Sequence, residues 1–119
     1  MSYDLAVWEG DRPATDQEAG TVLQALATRY LEEEVDTPPT ARIASFVDSV
    51  LARWVDLTED DLDDVSPFAA GPLRDEASGP IIYLALRPSM ADEVSAEMAV
   101  MAEEHGLICF DPQSDQLRP

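Results

Sequence analysis

From Pro80 to Pro112 the chain reads PIIYLALRPSMADEVSAEMAVMAEEHGLICFDP, and this stretch decides the fold. Ile81 to Leu86 is nearly continuous in apolar residues, the pattern of a strand that is central in a sheet or buried on both faces. Ser89, followed three residues later by Asp92, has the spacing of a capping box and predicts a helix start. Ala91, Val94, Met98, Met101 and Ala102 then fall on one helical face. Gly106 stands where a helix end calls for a left-handed residue. Leu107 to Phe110 reads as another strand, and Asp111-Pro112 turns the chain away. Strand, helix and strand in this order predict a right-handed crossover that sets the two strands parallel.

Working back toward the N-terminus, the same grammar recurs. Pro38-Pro39 breaks the chain, and Thr40 is placed to cap a helix. Ile43, Phe46, Val47, Val50, Leu51 and Trp54 all lie on one face of that helix, which predicts a central packing element. Before it, Thr15 and Glu18 form a second capping-box pattern, with Ala19, Val22, Leu23, Leu26 and Tyr30 at helical spacing. Tyr3 to Trp8 is a short apolar run closed by Glu9-Gly10-Asp11 and reads as the first strand. Ser66 to Gly79, rich in Pro, Gly, Ala and Ser, reads as an irregular loop of a length that is often functional.

The order is therefore β-α-α-β-α-β, an α+β fold. We expect one domain over residues 1–119, in two layers. A three- or four-stranded sheet carries the helices mainly on one face. The first pair of helices is expected to return the second strand parallel to the first.

The charge narrows the functional classes. Twenty-five Asp and Glu stand against seven basic residues, for a net charge of −18, and every basic residue is an arginine. Such a field repels nucleic acids and anionic lipid at long range and attracts basic proteins. The arginines at 12, 29, 42, 53, 74, 87 and 118 are scattered, with no patch to hold a polyanion. One cysteine, Cys109, allows no internal disulfide and no thiolate cluster, which fits a reducing cytoplasm. The N-terminal MSYDLAVWEG lacks the basic and apolar regions of a signal peptide, and no run is long enough to cross a bilayer. A cytoplasmic protein that contacts neither membrane nor nucleic acid is the expectation.

Sites for covalent or metal chemistry are not indicated. Asp56, Thr58 and Asp60 alternate as calcium ligands do, but the sixth and twelfth positions of such a loop need Gly and Glu. Here they are Asp61 and Pro67. His105, at a helix end, suits the helix dipole without any chemistry, and Cys109 reads as a small core residue. No glycine frame cradles a phosphate. Trp54 reads as core by its spacing, and Trp8 as core in preference to an exposed contact. No catalytic, cofactor-binding or metal-ligating residue is assigned, and no cofactor is expected.

The stretches MSYDLAVWEGDRP, SGPIIYLAL and EEHGLICFDPQ together resemble a family of small acidic bacterial proteins of mostly unassigned function. Such proteins are similar in turn to the cytosolic immunity proteins of polymorphic toxin systems. That resemblance implies a non-enzymatic inhibitor whose partner is a basic toxin domain; it brings no catalytic residues.

Charge steers an encounter and packed anchors hold it, so the partner surface should combine carboxylates with apolar groups. The candidates are Glu32, Glu33, Glu34 and Asp36 after the first helix, Asp60, Asp61, Asp63 and Asp64 after the second, and Phe68 in the loop. Two other classes stay open. One is a small enzyme with an acidic cleft using Glu9, Asp75 or Glu76. The other is a self-associating structural module, and the oligomeric state is left open.

Overall fold

The computed structural model describes residues 3–32, 37–54, 56, 66–69 and 72–118, with the backbone alone at Glu32. Their elements are β1 (Tyr3–Trp8), α1 (Asp16–Leu26), α2 (Ala41–Arg53), β2 (Ala77–Ser78), β3 (Ile81–Leu86), α3 (Ala91–Glu104), β4 (Ile108–Asp111) and β5 (Gln116–Leu117). A π-helical stretch, Ala27–Glu32, prolongs α1, and a 3₁₀ turn, Leu73–Glu76, precedes β2. The fold is α+β, as its sequence pattern predicts.

The sheet has five strands in the order β2-β3-β1-β4-β5, with every neighbouring pair antiparallel. Two short strands at the edges, β2 and β5, raise the number above the three or four expected. Because β3 and β4 are both antiparallel to β1, they run parallel to each other. The crossover through α3 thus sets its strands parallel as expected, but β1 lies between them. The expected parallel return of the second long strand is corrected: β3 runs opposite to β1. The cause is a hairpin inside the supposed loop. It is β2 that returns parallel to β1, and the two-residue connection Gly79-Pro80 then reverses the chain into β3. Gly79 has φ +53°, the positive value that the first position of a tight hairpin turn requires.

Strand alternation sends side chains to two cores. Leu5, Val7, Ile82, Leu84, Leu86, Leu107 and Cys109 face one side, where they meet Ile43, Phe46, Val47 and Val50 of α2. Val94, Met98 and Ala102 of α3 complete that core. Ala6, Trp8, Ile81, Ile108 and Phe110 face the other side, against Ala19, Leu23 and Leu26 of α1 and Tyr30 beyond it. The domain therefore has three layers where two were expected. Among the described residues two of the three α-helices share a face, and α1 with its π-helical extension covers the other. Its cover is thin: only Ala19 of α1 is fully buried, and Val22, expected in its stripe, is 37% exposed.

Helix ends explain where the chain turns. Thr15 Oγ1 accepts from Glu18 N at 3.1 Å, and the Glu18 carboxylate reaches back to Ala14 N at 3.1 Å. Thr40 Oγ1 accepts from Ile43 N at 3.3 Å. At the end of α3, Leu107 N donates to Ala102 O and Gly106 N to Glu103 O, the paired bonds of a Schellman cap, with Gly106 at φ +70°. The expected Ser89 cap is corrected. Met90 occupies the cap position, no side chain caps the helix, and Ser89 is free to face outward.

The segment read as an irregular loop meets the edge of β3 at two places. Ala69 N donates to Ala85 O at 2.8 Å, Arg87 N donates to Pro67 O at 2.7 Å, and Phe68 bridges Leu86. The second contact is β2, whose Ala77 pairs with Ile82.

Candidate protein-binding surface

Trp54 caps the end of α2, and its surroundings differ from those expected of a core residue. It is half-buried, packs on the α2–α3 core, and borders a groove of about 420 Å³. Pro67, Ser89, Met90, Asp92, Glu93 and Val94 line the rest of it. The groove is built where the end of α2, the segment at Pro67 bonded to the end of β3, and the first turn of α3 meet. Pro67 is held there by the bond from Arg87 N, so this wall is fixed by the sheet.

The groove combines apolar surface with negative charge. Met90 is among the few exposed large apolar side chains, and Asp92 and Glu93 are exposed beside it. Among the described residues neither carboxylate is in an ion pair. By contrast Glu9, Asp48, Glu97 and Asp111 each have an arginine within 4.0 Å. Arg53 lies 5.1 Å from the centre of the Trp54 ring and donates to both Glu97 carboxylate oxygens, at 3.1 and 3.3 Å. Asp56, where the acidic run begins, accepts from Leu73 N at 2.9 Å.

The residues expected to meet a partner fall in three places. Glu32 closes the π-helical stretch. Glu33, Glu34, Asp36, Asp60, Asp61, Asp63 and Asp64 lie outside the described residues. Phe68 is corrected: it is 0% exposed, inside the core shared with Leu86 and Leu84, so it serves the fold and not an open surface. Trp54, Ser89, Met90 and Glu93 had not been singled out as contacts. The available signal was an aromatic at the last position of a helical stripe, adjacent to a run of acids.

Other chemistry-bearing groups are accounted for by structure. Ser49 Oγ and His105 Nε2 are 3.0 Å apart, and Phe46 meets the His105 ring edge-on. A nucleophilic pair needs a third group to orient the base. Among the described residues none holds the other ring nitrogen, so the contact ties α2 to α3. Burial pushes the Cys109 thiol up to about 12, which leaves it protonated and inert at neutral pH. Glu9 faces Arg42 at 3.9 Å, while Asp75 and Glu76 sit on the 3₁₀ turn; no hydrogen bond or ion pair between described residues joins Glu9 to either. Burial, then the neighbouring Asp75, raises the Glu76 carboxyl. No three His, Cys, Asp or Glu side chains among the described residues form a metal-ligand set.

Among the described residues Asp111, which lies on the first core's side at the end of β4, joins the largest polar network. It accepts from Tyr3 Oη, from Gln113 N at 3.0 Å, and from Arg118 Nη2 at 3.3 Å. Arg118 also donates to Tyr3 Oη at 2.9 Å and Ser95 Oγ at 3.3 Å. Burial pushes the Asp111 carboxyl up, but the bonds from Tyr3, Gln113 and Ser114 outweigh it and hold it below the usual range. This network ties β1, α3 and the C-terminal strand together.

The chain matches no protein-family model, no characterised protein and no solved structure. No helix among the described residues is long and apolar enough to cross a membrane.

Proposed function

We propose that the protein is a non-enzymatic binding protein, an immunity-type inhibitor that neutralises a basic toxin domain in the cytoplasm. The observation that supports this reading is the Trp54 groove. It joins a half-buried aromatic and an exposed methionine to unpaired carboxylates, on a chain of net charge −18. A basic partner is drawn in by the field, and desolvated apolar contacts then set how long it stays. The carboxylates within residues 32–36 and 56–64, on either side of α2 in sequence, widen the field. An interface of about 800 Å² per partner is within reach of a domain this size.

The test is to co-express the chain with the product of the adjacent gene and measure association rates at two salt concentrations. A complex should form whose association slows steeply with salt, because exposed charges beyond ~10 Å are screened at 0.1 M. Replacing Asp60, Asp61, Asp63 and Asp64 together by Asn should slow association and flatten the salt dependence, with the melting temperature little changed. Absence of a complex, or a rate indifferent to salt and to these four residues, would remove the proposal.

A further inference from the structure

Resting on the reading above, we propose that the Trp54 groove takes an arginine side chain of the partner. Its guanidinium would sit against the indole and the Asp92 and Glu93 carboxylates. The domain already contains this recognition chemistry once. Arg53 lies 5.1 Å from the Trp54 ring centre while Glu97 holds its guanidinium through two bonds. An indole has two faces, and Arg53 takes one of them; the ring also borders the groove. Asp92 and Glu93 stand on the groove's far wall, exposed and without an ion pair among the described residues. The N-terminus of α3 opposes a cation with roughly half a positive charge. Two full carboxylate charges exceed that, so the local field still favours a cation.

Shape and solvation select arginine over lysine. Its planar fork stacks on an aromatic face and is weakly hydrated, whereas an ammonium keeps its water. The methylene stem has an apolar track to follow along Met90, Val94 and Pro67. The volume of about 420 Å³ lies at the small end of the roughly 300–1,000 Å³ usual for ligand sites, which fits a side chain or two and not an extended substrate. Nucleic acid and anionic lipid are disfavoured occupants, because the same carboxylates repel them.

The experiment uses two probes of equal charge, a hexa-arginine and a hexa-lysine peptide, titrated at low salt into the full chain and followed by NMR. The arginine peptide should bind about fivefold more tightly, the size of one exposed cation–π contact. It should shift the Trp54 indole and Met90 methyl signals selectively. Asp92→Asn with Glu93→Gln, both at exposed positions, should bring the two peptides to equal affinity, and Trp54→Ala should do the same. The carboxylate pair keeps the test decisive if Trp54→Ala fails to fold. Equal binding of both peptides with unmoved Trp54 and Met90 signals overturns the arginine site and leaves capture of a basic partner standing. No binding of either peptide at low salt overturns both readings.

Discussion

Replacing Phe68 by alanine separates a core residue from a contact residue. The ring is wholly buried against Leu84 and Leu86 on the edge of the sheet, with backbone bonds holding it on both sides: Arg87 N to Pro67 O and Ala69 N to Ala85 O. Truncating a buried Phe removes its transfer free energy and leaves a cavity that the backbone bonds prevent from collapsing. The cost is about 3–5 kcal/mol. At ~0.05–0.15 kcal/mol per residue, the whole domain of 119 residues is worth roughly 6–18 kcal/mol, so the variant folds but is markedly weakened. The melting temperature should fall by roughly 9–30 °C, since each kcal/mol shifts a domain of this size by about 3–6 °C. In urea, with a slope of about 1–3 kcal/mol per molar, the midpoint should drop by roughly 2 M at an unchanged slope. Phe68→Leu, which keeps most of the apolar volume, should recover at least half of the loss. A loss under about 1 kcal/mol for Phe68→Ala, accompanied by lost partner binding, would refute the core assignment and return Phe68 to the surface.

Two further outcomes follow from the polar network and the hairpin. The Asp111 carboxyl is held below its usual range in the folded chain. Its contribution is therefore fully present above the unfolded value, ~3.9, and is lost as pH falls through the lower folded value. Asp111→Asn should cost about 1–3 kcal/mol at pH 7, because Tyr3 and Arg118 lose their acceptor. It should also reduce the acid sensitivity of urea unfolding below pH 4; an unchanged pH profile would show that the group is uncoupled from folding. Gly79→Ala places a Cβ 2.7 Å from Tyr30 Cε1 at φ +53°, so it should destabilise by at least ~1 kcal/mol and loosen Tyr30, read as a melting temperature lower by several degrees. A neutral effect would mean the β2–β3 turn and the π-helical stretch do not touch in solution.

Much of this fold was legible because burial imposes a period. The stripe Ile43, Phe46, Val47 and Val50 identifies the inner face of α2, and the run Ile81 to Leu86 identifies a strand covered on both sides. Thr15, Thr40 and Gly106 mark helix ends because the unpaired backbone groups there need specific chemistry. What was hidden lacks a period. A two-residue strand such as Ala77-Ser78 has no alternation to detect, yet it adds the hairpin that reverses β3. The apolar stripe of α1 shows that the helix buries a face but not which side of the sheet receives it. The third layer therefore had no sequence signal.

The candidate surface was less legible, for a related reason. Composition reports that a field exists, and runs such as Glu32 to Glu34 report where charge is dense. Neither reports where charge meets an apolar anchor. Trp54, Pro67 and Met90 are brought together only because α2 ends beside the edge of β3 and α3 starts there. Periodicity gave Trp54 to the core because it continues the α2 stripe. The helix ends one residue earlier, at Arg53, so the ring packs on that core only in part and keeps some exposure. Phe68 shows the converse: its neighbours in sequence look like a loop, but pairing with β3 pulls it inward. At both positions the side chain's exposure follows from where a backbone element stops pairing, a tertiary event that local residue type does not encode.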